Sequence, residues 1–394
     1  MRRVWAVLLG TSALLAVAES ASALPAFARR YGVACHFCHD GFPKLNNNGQ
    51  RFKERGLRMA QEDAFDAGAW LRSVPIDARL QGNLTFLEES DDFTYFFGKG
   101  ITAGSLGSRF AYWVDDGVFV DDVDDPPGQD SWIHTKPDNA WGRVELIKNG
   151  KLYVKGGRFE LDLPFTQART PNLFSYDIYF TNAGSEADTI GSYQQGGEVG
   201  GTYPNGFHWS AAVVDGRNNE SMEDIDDDVG KFDANVFLRV AKRFEQHRVG
   251  AFAYFGNNTL AQSPQIVWED DVLRIGGDAD LRFGRFNLYG VFMYGQNDNP
   301  IATPAQPDGT GESFDWTGGF AQGDFNVLDT VQVTLRLNAV NRAASNDSSS
   351  KETFTSLWPG IRVFLFERFK LGFEYGFHNQ EQANIGAIQA EVAF

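Results

Sequence analysis

Cysteine is almost missing from this chain: 394 residues contain two, at positions 35 and 38. A disulfide framework is therefore excluded, and a structural zinc centre would need more ligands than one Cys pair and a neighbouring His normally supply. Methionine (4) and proline (14) are scarce too. Beyond the first residues, no apolar run is long enough for a transmembrane helix. No Gly-x-Ser-x-Gly elbow occurs. Gly196-Gly197-Glu198-Val199-Gly200-Gly201 lies in a strand pattern and opens no helix, which removes nucleotide binding. Asp224-Ile225-Asp226-Asp227-Asp228 lacks the Gly and distal Glu of a calcium loop. His134, His208, His247 and His378 are scattered without metal-ligand spacing. Positive charge is also short, with 35 Lys and Arg against 52 Asp and Glu, a net of −17 that gives no expectation of a nucleic-acid partner.

What the chain does have begins at its start. Arg2 and Arg3 precede an apolar run, Val4 to Ala18, and a small-x-small site, Ala21-Ser22-Ala23. This reads as a secretory signal peptide over residues 1–23, with the mature chain starting near Leu24. About a dozen residues later comes Cys35-His36-Phe37-Cys38-His39. Cys-x-x-Cys-His is the attachment sequence of a c-type haem. Two thiols at this spacing can form thioethers with the two vinyl groups of one haem, and the adjacent imidazole of His39 becomes the proximal iron ligand. A disulfide between cysteines this close would be small, strained and redox-active. Export agrees with the haem reading, since covalent attachment takes place outside the cytoplasm. Met59 is the candidate for the distal ligand. A barrel histidine, or no sixth ligand, stays open.

Residues 24–60 form the mono-haem cytochrome c segment, with seven basic residues against Asp40 and Glu54, a net of +5. The signal peptide carries +1, so the remainder of the mature chain is −23. Opposite charges on one tether favour docking. The segment has too few apolar residues to bury a haem unaided, so something else must cover it. A short helix is expected over Gln50 to Met59, weakened by Gly56. Residues 61–73 read as a linker.

From 74 to 394 the pattern has period two. Val331, Val333, Leu335, Leu337 and Ala339 alternate with Gln332, Thr334, Arg336 and Asn338. Phe369 to Phe377 and Ala234 to Val240 alternate likewise. About sixteen strands are expected, starting near positions 76, 93, 108, 139, 151, 189, 206, 231, 246, 272, 285, 313, 329, 353, 369 and 385. Tight turns alternate with long, mostly acidic loops, including Asp115 to Asp138, Glu160 to Asp188, Asp215 to Val229 and Gly256 to Asp271. This is the rhythm of a transmembrane all-β barrel, apolar face to lipid and polar face to lumen. The chain ends on a strand with Phe394, which resembles the insertion signal of bacterial outer-membrane barrels. Bacterial outer membrane is the expected location, with outer-membrane lipid around the wall. The haem segment should lie in the lumen or the periplasm.

Phe27-Ala28-Arg29, Gly32, Cys35-x-x-Cys38-His39, Phe42-Pro43-x-Leu45-Asn46, Gly49, Phe52-Lys53 and Gly56, ahead of a barrel, resemble the fused cytochrome c–porin family of bacterial outer membranes, the outer-membrane iron-oxidising cytochromes and their relatives. Arg30-Tyr31 and Asn48-Gly49-Gln50 depart from that family's pattern, which has Gln-Thr and Phe-Gly-Arg there. The resemblance implies an electron conduit with one covalent haem c. It would connect an extracellular donor or acceptor, Fe(II) among them, to a periplasmic c-type cytochrome, and could act as an Fe(II) oxidase. A porin for solutes, with the haem segment as plug or anchor and Arg143, Arg239 and Arg336 as selectivity lining, is the alternative. A haem peroxidase is disfavoured because no distal His-Arg constellation is visible. Glu145, Glu374 and Glu391 are the lumen acids expected to receive the basic segment.

Overall fold

Alternation of side chains on a pleated strand lets one face meet lipid and the other a lumen, and closing the sheet removes its unpaired edges. The computed structural model describes residues 26–59, 76–87, 93–122, 138–166, 170–181, 190–216, 232–263, 266–302, 306, 308–343, 351–365, 368–379 and 384–393. Within them lie three α-helices, α1 (Ala26–Tyr31), α2 (Asn47–Glu54) and α3 (Asp177–Phe180), and sixteen strands. The strands are β1 (Ile76–Leu87), β2 (Phe93–Leu106), β3 (Phe110–Asp122), β4 (Asn139–Ile147), β5 (Leu152–Glu160), β6 (Tyr193–Thr202), β7 (Phe207–Asp215) and β8 (Ala234–Phe244), followed by β9 (His247–Ser263), β10 (Ile266–Phe283), β11 (Phe286–Asn297), β12 (Phe314–Leu328), β13 (Val331–Ala343), β14 (Lys351–Leu365), β15 (Phe369–His378) and β16 (Ile385–Ala393). Each pairs antiparallel with its neighbours, and β1 pairs with β16, Arg79 opposite Ala393 through Leu87 opposite Ile385, to close the barrel. No helix is long and apolar enough to cross a membrane among the described residues.

Strand faces follow the periodicity. On β13, Leu335 and Leu337 are 52% and 51% exposed, while Gln332, Thr334, Arg336 and Asn338 point inward and are buried. An outward apolar band of this kind is stable only against lipid. Leu335→Arg should therefore cost about 2–4 kcal/mol of folding free energy near the midplane, read from denaturant titration in lipid vesicles. Thr334, by contrast, is no open lumen position. Its hydroxyl donates to Asp324 and accepts from Gln322, so Thr334→Arg should be costly as well.

Several boundaries differ from the sequence reading. Gly256 to Asp271, expected as a loop, is a tall hairpin in which β9 and β10 continue almost to its tip. Asp115 and Asp116 belong to β3, not to a loop. Helix α2 starts earlier and ends at Glu54, since Gly56 and Leu57 take positive φ (67° and 59°) and stop it. The signal peptide, the linker 61–73, Phe394 and the acidic residues 124–125 and 220–228 lie outside the described residues.

The lumen is more apolar than a polar lining predicts. β7, β8, β9, β11 and β12 send Val214, Phe237, Phe252, Tyr289, Met293 and Phe320 inward. The described part of the β5–β6 connection folds into the barrel and packs on them. Tyr176 stacks on Phe320 at 4.1 Å between centroids, and Phe165 meets Tyr289 at 4.8 Å.

Candidate functional site

Residues 26–59 contact inward-facing groups around most of the short-turn end of the barrel. Arg58 donates to the carbonyls of Gly107 and Phe110 at the β2–β3 turn and pairs with Glu145 of β4 at 3.0 Å. Lys44 pairs with Asp324 of β12 at 2.9 Å and lies 3.6 Å from the Tyr289 ring centre. Two contacts have the opposite polarity: Glu54 accepts from Arg243 of β8 at 2.8 Å, and Asp40 pairs with Arg282 of β10. Attachment is therefore an exchange of charges in both directions. Glu145 is a partner as expected from sequence. Glu374 and Glu391 are not, because barrel cations reach them first. Arg362 takes Glu374 at 2.8 Å, while Arg79 and Lys370 each take Glu391 at 2.6 Å.

The Cys-x-x-Cys-His loop is a single 3₁₀ turn, Cys35–Phe37, in which the amides of Cys38 and His39 both donate to the Cys35 carbonyl at 3.1 Å. Asn46 ties this turn to α2. Its Oδ1 caps the helix by accepting from the amides of Asn48 and Gly49, and its Nδ2 donates to the carbonyls of His36 and Phe37 at 3.1 Å. Gly49 faces the turn so closely that a Cβ would collide with the Cys38 carbonyl oxygen. Gly49→Ala must separate helix from loop, and should sharply lower haem incorporation. Asn46→Ala, losing a cap and two straps, should cost about 1–2 kcal/mol locally. Haem content per chain and protection of the segment from hydrogen exchange are the readouts.

His39 donates from Nδ1 to the Pro43 carbonyl at 3.1 Å, since a carbonyl can only accept. In the neutral ring the lone pair is then on Nε2, the tautomer a metal takes, with the backbone carbonyl orienting the imidazole. Burial pushes the Cys38 thiol above its ordinary value.

Cys35, Cys38 and His39 open onto one cavity of about 450 Å³, whose other wall is the barrel: Phe97, Trp113 and Trp141 among the apolar residues, Arg79 and Lys99 among the cations. Cofactor sites span about 300–1,000 Å³. Met59 lines the same cavity and packs with Phe27, Phe52, Leu57 and Ala103 against Ile101, Trp113 and Trp141. The apolar cover missing from the segment is thus supplied by β2, β3 and β4. Lys99 is held by Asp115 at 3.0 Å and Asp138 at 2.6 Å, so both cations are oriented at the cavity wall. The residues present fit a covalently tethered haem: two thiols, a correctly tautomerised imidazole, aromatic cover, and cations for its carboxylates.

The three arginines read as a selectivity lining do point inward, but two of them brace inserted chain: Arg143 donates to the carbonyls of Lys53 and Glu54, and Arg336 to those of Phe174 and Ser175. Arg239 pairs with Asp278 of β10 at 3.0 Å, within the wall. The aromatic insertion after β5 was missed. Its signal was composition: Leu161, Leu163, Tyr176, Ile178 and Tyr179 stand out from the acidic connections elsewhere.

No protein-family model and no curated protein sequence matches the chain. Its fold is similar to OmpF of Salmonella typhi, solved as a complex with daunomycin, at TM-score 0.58 and 10% identity over 81% of this chain and 97% of that one. It is also similar to OprB of Pseudomonas putida in its high-pH structure (TM-score 0.55, 9% identity, 86% of this chain and 100% of that one). The outer membrane channel DcaP of Acinetobacter baumannii aligns at TM-score 0.53 and 11% identity over 81% and 96%. The chain folds as a sixteen-strand barrel of the outer-membrane porin type.

Proposed function

We propose that this protein is an outer-membrane electron conduit carrying one c-type haem at the mouth of a porin-like barrel. The observation that carries the reading is that Cys35, Cys38 and His39 line one cavity with Phe97, Trp113 and Trp141 of the barrel wall. An attachment sequence of this kind, turned toward the lumen, has a use if charge must cross the low-dielectric wall. With long loops outside and short turns in the periplasm, as in outer-membrane barrels generally, residues 26–59 face the periplasmic side.

When bound, haem supplies a reversible one-electron Fe(III)/Fe(II) couple. Cys35 and Cys38 would tether it, His39 would ligate its iron through Nε2, and Trp113, Trp141 and Phe52 would keep water from it. Arg79 and Lys99 would offer cations to its carboxylates. Met59, which lines the same cavity, is the candidate second ligand, and a Met ligand would raise the potential. Electrons pass between an extracellular donor, for which the resemblance implies Fe(II), and a soluble periplasmic cytochrome.

The fold likeness to a channel favours a second reading, solute diffusion. Against it stand Arg239, Arg274, Arg336 and Arg362, inward-facing yet no more than 2% exposed, as they would not be along a wide aqueous pore. Single-channel conductance in planar bilayers separates the readings. The conduit reading expects conductance far below that of an open sixteen-strand pore. Open-pore conductance from the intact mature protein would favour the porin.

A further inference from the structure

Of the four cations at the end of the segment, Lys53 and Arg58 pair with Asp162 and Glu145, whereas Arg51 and Arg55 do not hold it in the barrel. Helix α2 is two-sided. Gly49, Phe52 and Glu54 are buried toward the lumen, while Asn48, Arg51 and, just past the helix, Arg55 are exposed on the opposite side. Neither Arg51 nor Arg55 has a carboxylate partner among the described residues, and Arg55 reaches only the Met59 carbonyl, at 3.5 Å. His36 and Phe37, whose carbonyls Asn46 holds at the start of α2, are exposed as well, Phe37 by 41%, inside the loop between the two cysteines. An uncovered aromatic at one end of α2 and two cations without a carboxylate partner along it are not explained by the stability of the segment.

We propose that this face, with Phe37 at the start of α2 and Arg51 and Arg55 along its exposed side, is the docking surface for an acidic, soluble redox protein. The word redox rests on the electron-conduit reading; the acidity of the partner does not. An apolar centre with a charged surround is the anatomy of a recognition patch, and the charges set encounter rate and partner choice more than final affinity. The surrounding turns add to the field. Arg109, Lys151 and Arg285 are exposed at this end against the anions Glu245 and Asp329. Those turn cations are also within reach of phospholipid headgroups. Arg51 and Arg55 stand on the segment itself, whose contacts run from the β2–β3 turn through Gln246 at the β8–β9 turn to Arg282 of β10, inside the ring of turns. A partner that reads Arg51 and Arg55 approaches along the barrel axis, from the aqueous side.

The test uses the mature, haem-loaded protein in nanodiscs and two soluble c-type cytochromes as probes, one strongly acidic and one strongly basic. Binding is measured calorimetrically at low and moderate salt. The acidic probe should bind, weaken at least tenfold on raising salt, and weaken at least tenfold in R51E/R55E. Phe37→Ala should weaken it with the salt dependence unchanged. The basic probe should not bind the parent. Equal binding of both probes, no binding of the acidic one, or R51E/R55E that binds like the parent would overturn the proposal. So would loss of binding on reversing Arg109 and Arg285 alone, accompanied by loss of affinity for anionic phospholipid vesicles, since the surface would then be a lipid rim. The haem-free C35S/C38S protein should still bind the acidic probe. Binding without any electron transfer by the parent would sink the conduit reading and leave the docking surface standing.

Discussion

Protein in which Cys35 and Cys38 are both replaced by Ser will reach the membrane without haem that survives acid–acetone extraction, whereas the parent will keep one haem per chain through extraction and denaturing electrophoresis. The effect would be all or none because the proposed tether is covalent. The two thiols share one 3₁₀ turn braced by Asn46, and no other cysteine exists to substitute. Either single variant leaves one thioether, so weakened retention is expected. His39→Ala separates tethering from ligation: haem stays attached, but the normal low-spin spectrum is lost. Loss of all haem from the parent under acid–acetone would contradict the assignment of the attachment site.

Reversing Lys44 and Arg58 will release the segment from the barrel, while reversing Arg51 and Arg55 will not. Lys44→Glu sets a carboxylate against Asp324, and Arg58→Glu sets one against Glu145, whose side chain is 1% exposed. Breaking a buried pair costs about 3–5 kcal/mol, and a repelling charge adds to that. Salt should do little to the parent, since pairs this deep are poorly screened. Limited proteolysis of the mature protein reports release, with conductance as a second readout. The rise in conductance should be partial, because the insertion after β5 still packs on Tyr289 and Phe320. If both double variants stay docked, these pairs are not what holds the segment.

The barrel was readable in the sequence because its signal is periodic and repeated. Sixteen strands were expected, most starting within three residues of where they begin, since tight turns such as Lys148-Asn149-Gly150 and Tyr203-Pro204-Asn205 punctuate the chain. The hairpin of β9 and β10 was shortened in that reading because Asn257, Asn258, Asp270 and Asp271 look like loop residues. In the barrel they pair across the strands, Asn257 with Asp271 and Asn258 with Asp270. Local composition cannot distinguish a polar loop from a polar pair at the water-facing end of a strand. The residues proposed to attach haem come from a local motif. Their cover was not legible, because Trp113 and Trp141 join Phe27 and Phe52 only after the barrel closes. Charge totals misled for a related reason. A net of +5 against −23 suggested attraction of one sign, whereas the contacts are specific pairs of both signs and leave Arg51 and Arg55 outside.

The most direct test of the conduit is electron transfer across a sealed membrane. Mature haem-loaded protein is reconstituted into liposomes with oxidised soluble cytochrome c trapped inside, and Fe(II) is added outside. The account predicts reduction of the trapped cytochrome by the parent, and none by C35S/C38S inserted to the same extent, with no leak of a trapped dye in either case. Reduction at the same rate by the haem-free variant, or reduction only when dye also leaks, would contradict it.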